Sequence, residues 1–155
     1  MTRGADLTDS DNYFEDYQIG TVWRHARGKT ITDFECSTIA LLVMNTAQGH
    51  FNDDAMKSSS YGRSVVFGGV TAALVIGLAM QDTGEHALVE EGLDHLRYAE
   101  PVFRGDTIYA VSEVKAVNEI SGFKGGRVTF HHTGLNDQGR VVFECDRTVV
   151  IATRM

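Results

Sequence analysis

A chain of 155 residues has the length of one domain with its own core, and it needs no staple or metal to close that core. With 14 Lys and Arg against 21 Asp and Glu, the formal net charge of −7 offers no basic field for a nucleic acid backbone. The longest apolar run, Val70 to Met80, falls well short of the roughly 20 residues a membrane span requires, so neither nucleic acid nor membrane is expected as a partner.

Residues 1–12 are polar and acidic without periodicity and read as a loose arm, leaving 13–155 as the folded domain. The text YFEDYQIGTVW carries an Ile-Gly turn signal and leads into a strand from Thr21 to about Thr30. Thr32 followed by Glu35 has capping-box spacing, so a helix is expected from Asp33 through ECSTIALLVM to about Asn45. From His50 to Ser64 the chain lacks strong periodicity and reads as a loop, with one helical turn around Asp53 to Lys57. VVFGGVTAALVIGLAMQD then has the length of a four-turn helix and is apolar on nearly every side, which predicts enclosure.

The second half has strand character. HLRYAE, TIYAVSEVKAV, RVTFHHTGL and RVVFECDRTVVIAT are four runs separated by turn-rich segments, and the last three suit an antiparallel meander. In RVTFHHT, Val128, Phe130 and His132 alternate with more polar neighbours, as expected of a sheet with one buried face. The architecture that joins both halves is α+β: a long central helix wrapped by a curled antiparallel sheet, one strand before the helix and the rest after it, the hotdog arrangement. Its open edge makes a homodimer, or an assembly of dimers, the economical way to cover the remaining apolar surface.

Cys36 and Cys145 lie far apart without CxxC spacing, and no signal-peptide pattern opens the chain, so both are expected as free thiols in the cytoplasm. His131 and His132 are adjacent in a strand and point to opposite faces, which excludes joint metal binding in the simple way. No P-loop, dinucleotide fingerprint or Gly-x-Ser-x-Gly elbow is present.

Two places can carry chemistry. His50 sits between Gly49 and Phe51, after Asn45 and Gln48; it reads either as a structural residue or as a base held in one tautomer by these hydrogen-bonding neighbours. The pair Gly68 and Gly69 opens the central helix, either as a tight turn or as a place where unpaired backbone N–H groups meet a developing oxyanion. Asp53 and Asp54 read as solvated or capping groups, with a carboxylate for the site as the alternative.

The capped helix from Thr32 to Asn45, the Asn45-to-His50 segment, the helix in RSVVFGGVTAALVIGLAMQD and the PVFRGDT stretch from Pro101 to Thr107 together resemble the MaoC-like dehydratases, which include the (R)-specific enoyl-CoA hydratases. That resemblance implies a hotdog fold, paired units, and addition of water to an enoyl thioester or its elimination. The family's usual text is Gly-Asp-x-Asn-Pro-x-His; set on His50, its aspartate falls on Asn45, its asparagine on Ala47 and its proline on Gln48. The altered aspartate is similar to the subgroup of mesaconyl-CoA hydratases. Gly68 matches the glycine of the family's His-Gly at the helix start, with Phe67 in place of the histidine.

By this resemblance His50 is the base, Gly68 N–H the donor to the thioester oxygen, and Asn45 an orienting group, since an asparagine takes no proton. Gln48, Phe67, Gly69 and Arg63 are expected to contact substrate, with Lys57 and Arg104 further candidates to hold phosphate. No cofactor is expected beyond the CoA or carrier-protein thioester of the substrate itself. Two other functions stay open: a hotdog acyl-thioesterase, for which the helix offers only Gln81 and Asp82 at its far end, and a non-catalytic subunit that binds an acyl thioester.

Overall fold

The computed structural model of the chain describes the backbone of Thr2–Gly4 and residues 12–155. Of the expected loose arm, residues 1 and 5–11 lie outside the described residues, while Thr2–Gly4 forms β1. The other strands are β2 (Val22–Thr30), β3 (Ala87–Tyr98), β4 (Thr107–Glu119), β5 (Gly125–Leu135) and β6 (Val141–Ala152), in the sheet order β1-β2-β4-β5-β6-β3. All pairings are antiparallel except the short parallel one between β1 and β2. The α+β hotdog arrangement and the β4-β5-β6 meander are therefore present, with two strands rather than one before the helices.

Helix α1 (Asp33–Leu42) starts at the expected capping box, Thr32 accepting from Glu35 N–H while the Glu35 carboxylate accepts from Thr32 N–H at 2.9 Å. It ends earlier than expected because Met44 turns into the left-handed region at φ 59, and Asn45 N–H closes back on Ala40 O at 2.8 Å. Helix α2 (Asp53–Met56) is the single turn inside the loop, capped by Asn52. Helix α3 (Gly68–Thr83), about 24 Å long at 1.5 Å per residue, lies across the sheet. Its contact is close: a Cβ on Gly134 of β5 would stand 2.5 Å from Val75 Cγ2, so the helix seats against bare backbone.

Enclosure of α3 is one-sided. Val70, Val75 and Ala79 are buried against the sheet, whereas Ala73 and Gly77 are exposed, because a single sheet wraps only one side of a helix. Strand β3 also differs from expectation, beginning at Ala87 rather than near His95. Its first half lacks apolar alternation and is held to the sheet partly by ion pairs, Glu90 with Arg147 of β6 and Glu91 with Arg127 of β5.

The inner face of the sheet is apolar at both ends and polar in the middle. Val75 and Val70 pack with Ile108, Ala110, Phe143 and Cys145 at one end, and Tyr17, Val114, Val128, Phe130 and Ile151 form a second cluster at the other. Between them lies a buried chain: Asp82 Oδ2 to His25 Nδ1 at 2.6 Å, His25 Nε2 to Ser112 Oγ at 2.7 Å, and Ser112 Oγ to His132 Nδ1 at 2.6 Å. One arrangement of protons satisfies every link: His25 Nδ1–H donates to Asp82, Ser112 O–H to His25 Nε2, and His132 Nδ1–H to Ser112. His132 Nε2 is left buried without a partner among the described residues, and burial, followed by the nearby Arg147 charge, pushes the His132 imidazole down to about 3.

Candidate active site

Where α3 begins, the chain has been pulled together from three sides. Val65 N–H bonds Gly49 O at 2.9 Å, Val66 N–H bonds Val102 O at 2.8 Å, and Ala99 N–H bonds Val142 O at 2.9 Å. The first two tie the approach to α3 to the His50 turn and to the PVFRGD segment, and the third ties the end of β3 to β6. They enclose a cleft of about 450 Å³. His50, Tyr61, Val65, Val66, Phe67, Gly68 and Thr71 form one side, and Tyr98 to Val102 with Val142 form the other.

His50 is half-buried, and its Nδ1 lies 3.0 Å from the carbonyl oxygen of Val65. A carbonyl only accepts, so Nδ1 carries a proton and donates it. The proton-accepting lone pair of a neutral imidazole is then on Nε2, the tautomer a general base needs. The ring leans on Phe67, with centroids 5.5 Å apart.

Gly68 is the first residue of α3, and no side chain caps that end. The first intrahelical bonds run from Val70 and Thr71 N–H back to Phe67 O, at 2.8 and 3.4 Å, and no backbone acceptor among the described residues takes the Gly68 N–H. A free N–H at the positive end of a helix favours negative charge on an oxygen placed there. Glycine leaves room for the Tyr98 ring over the site, where a Cβ on Gly68 would meet Cε1 of Tyr98 at 2.8 Å.

Of the residues singled out in the sequence, His50, Phe67 and Gly68 thus share one cleft. Asn45 does not line it; its Oδ1 accepts the Ala47 N–H at 3.1 Å, a local turn that shapes the approach to His50. Gln48 is exposed and accepts from Asn52 Nδ2 at 2.6 Å, outside the lining. Gly69 lies behind Phe67, whose ring would be 2.5 Å from a Cβ there. Arg63 stacks its guanidinium 3.9 Å above the Phe103 ring and lines two smaller clefts beside the main one.

The aspartates are engaged elsewhere. Asp53 Oδ1 accepts from Ser64 N–H at 3.1 Å and from Arg104 at 2.7 Å, and the Ser64 hydrogen bonds hold its carboxyl below the usual range. Asp54 pairs with Lys57 at 2.9 Å in solvent. Asp82, the carboxylate of the central helix, is consumed by His25 in the buried chain, away from the cleft. Both cysteines are free and buried, neither lines the cleft, and burial pushes the Cys145 thiol up to about 11, so neither is a thiolate nucleophile.

Sequence reasoning passed over Tyr61, Thr71, Tyr98 and Glu100, which no motif marks. Among the described residues Glu100 is the one carboxylate in the lining, and it pairs with Arg140 at 3.3 Å. Among the described residues no group of three or more His, Cys, Asp or Glu side chains is placed to hold a metal, and no helix is long and apolar enough to cross a membrane.

A family model described as mesaconyl-CoA hydratase matches residues 3–153. A mesaconyl-CoA hydratase of Haloarcula marismortui is 29% identical over 162 residues, covering 97% of this chain and 45% of its own length. A beta-methylmalyl-CoA dehydratase of Chloroflexus aurantiacus is 34% identical over 113 residues, covering 73% of this chain and 32% of its own. Among solved structures, a MaoC domain protein dehydratase from Chloroflexus aurantiacus superposes with a TM-score of 0.87 at 29% identity, over 97% of this chain and 48% of that one. The chain spans less than half the length of these relatives.

Proposed function

The chain belongs to the mesaconyl-CoA hydratase family of MaoC-like dehydratases, and on that premise we propose that it adds water to the double bond of a short or branched enoyl thioester, or removes it, in the cleft between His50 and Gly68. The observation that carries this reading is the pairing, in one cleft, of a histidine fixed with Nε2 as acceptor and an uncapped helix N-terminus.

In the hydration direction His50 Nε2 takes a proton from water as the water oxygen bonds to C3 of the enoyl group. The electron pair of the double bond moves toward the thioester carbonyl, whose oxygen becomes enolate-like and is met by the Gly68 N–H. The imidazolium returns its proton to C2, which restores the thioester and the neutral histidine. Val66, Phe67, Val102 and Val142 supply apolar walls that limit other water.

Asn45, at the position of the family's aspartate, is a positioning residue in this scheme. It holds the turn before His50 through Ala47 N–H, so Asn45→Asp, which keeps that acceptor, should preserve turnover that Asn45→Ala loses. Gln48 and Gly69 support the two segments from behind, and Arg63, on its Phe103 ledge beside the cleft, is placed to meet phosphate of CoA or a carrier-protein arm. A second copy of the chain covers the open edge of β3, and the two buried free cysteines suit the cytoplasm.

The test is hydration of crotonyl-CoA, followed by loss of the enoyl absorbance. His50→Ala should lower kcat by about 10²-fold or more, and full activity in that variant removes His50 from the mechanism. Release of free thiol would instead indicate a thioesterase, and retention of acyl-CoA without turnover a binding subunit.

A further inference from the structure

The floor of the cleft bears on which enoyl thioester it takes, an inference that rests on reading the cleft as the acyl site. The cleft deepens along α3. Phe67 and Gly68 at its mouth are half-buried, and His50, Tyr61, Tyr98 and Glu100 also keep surface in solvent. The deep residues are Val66, Thr71, Val102 and Val142, each 6% exposed or less, and among these four Thr71 alone is polar.

The Thr71 hydroxyl has no partner in the protein. Thr83, at the other end of the same helix, turns its hydroxyl back to Ala79 O at 2.8 Å, as helical threonines commonly do. Thr71 makes no such bond to Phe67 O, which already takes the N–H groups of Val70 and Thr71, and no other group among the described residues meets its Oγ1. Nor is that oxygen sealed in. The described side-chain atoms buried without a partner are Ser64 Oγ and His132 Nε2, so Thr71 Oγ1 keeps accessible surface, and the space beside it is the cleft.

A hydroxyl left unpaired among valines costs free energy that a ligand oxygen recovers. Thr71 follows Gly68 by three residues and so lies on the same face of α3, about 4.5 Å further along its axis. With the thioester oxygen at the Gly68 N–H and the CoA leaving by the mouth, the far carbon of a trans four-carbon acyl chain comes level with Thr71. A methyl group there leaves the hydroxyl unpaired, whereas a carboxylate or hydroxyl oxygen accepts its proton.

We propose that Thr71 is a specificity-determining residue of this cleft, selecting enoyl thioesters whose chain ends in a hydrogen-bonding oxygen over those that end in methyl.

The test is kcat/KM of the whole chain for fumaryl-CoA and 4-hydroxycrotonyl-CoA, each against crotonyl-CoA, from which they differ only at the chain end. At least one of the two should be preferred over crotonyl-CoA by about tenfold or more, and which one it is tells carboxylate from hydroxyl. Thr71→Val, which keeps the shape and removes the hydroxyl, should reduce that preference to about twofold or less with crotonyl-CoA turnover and the thermal midpoint unchanged, while Thr71→Ser should keep it. Preference for crotonyl-CoA over both, or a preference that survives Thr71→Val because all three substrates fall together, overturns the assignment.

Calorimetric binding of the saturated counterparts, succinyl-CoA, 4-hydroxybutyryl-CoA and butyryl-CoA, separates this claim from the one beneath it. Crotonyl-CoA hydrated by a protein with no preference among chain ends leaves the hydratase and removes the role of Thr71. Selective binding that Thr71→Val abolishes, without hydration of any enoyl thioester, leaves that role and removes the hydratase, and binding of none of the three overturns both.

Discussion

The ring of Tyr98 lies so close over Gly68 that the smallest side chain there would collide with it, Cβ to Cε1 at 2.8 Å. Tyr98 is 54% exposed and leans on Phe143 at 5.4 Å between centroids, so it has room to swing. Gly68→Ala should therefore cost little stability, about 1 kcal/mol or less. It should nonetheless lower kcat for crotonyl-CoA about 10- to 100-fold, because the new methyl and the displaced ring crowd the N–H that meets the thioester oxygen. Thermal unfolding beside steady-state kinetics reads both; unchanged kcat would remove the Gly68 N–H from the mechanism.

Met44 holds φ at 59, where an L-residue with a Cβ is strained by about 1–2 kcal/mol. The position precedes Asn45, where the family's text has glycine. Met44→Gly relieves the strain but adds freedom to the unfolded chain, about 0.5–1 kcal/mol. The net expectation is a gain of about 0.5–1 kcal/mol in a urea unfolding experiment, and a loss of that size would contradict it.

Stability should fall in mild acid because of His132. Its folded imidazole is held down to about 3 by burial, whereas an unfolded histidine titrates near about 6.5. Between those values the unfolded chain binds the extra proton, so this contribution is fully present above about pH 6.5 and is lost as pH falls, by up to about 1.4 kcal/mol per unit. Urea midpoints at about pH 7, 6 and 5 should decline more steeply in the wild type than in His132→Phe, which has no imidazole to protonate.

The outer edge of β3 predicts association. β3 pairs only with β6 among the described strands, and Leu88, Val89, Leu93, Leu96 and Tyr98 along it are each between 43% and 54% exposed. An open edge that exposes these side chains invites a second strand. Sedimentation should show a dimer, and Leu93→Lys with Leu96→Lys should weaken it by about 30-fold or more. A wild-type monomer at micromolar concentration would refute the pairing.

What the sequence disclosed was what neighbours in sequence decide. The Thr32 and Glu35 box spans one helical turn, and the alternation of Val128, Phe130 and His132 is a property of one strand, so both were legible. The first half of β3 was not, because EEGLD joins the sheet through arginines on β5 and β6 that no local pattern reveals. His50 and Gly68 could be named, one by its amide neighbours and the other by its place before an apolar run. Tyr98 could not, since it matters only for the Gly68 backbone it covers from another segment, and the loop hydrogen bonds of Asn45 and Gln48 are likewise set by geometry that no motif spells out.

The line from Asp82 through His25 and Ser112 to His132 fastens one end of α3 to β2, β4 and β5, and Arg147 on β6 holds the adjoining Thr83. The other end, at Gly68, is held through the segment before it, by backbone bonds from Val65 N–H to Gly49 O and from Val66 N–H to Val102 O. Mechanically, α3 is a beam clamped by side chains at one end and tethered through backbone at the other, so a shift at the clamp is passed along its length. A substitution in the buried line, about four turns of helix away, therefore bears on the alignment of the Gly68 N–H without touching any atom of the cleft.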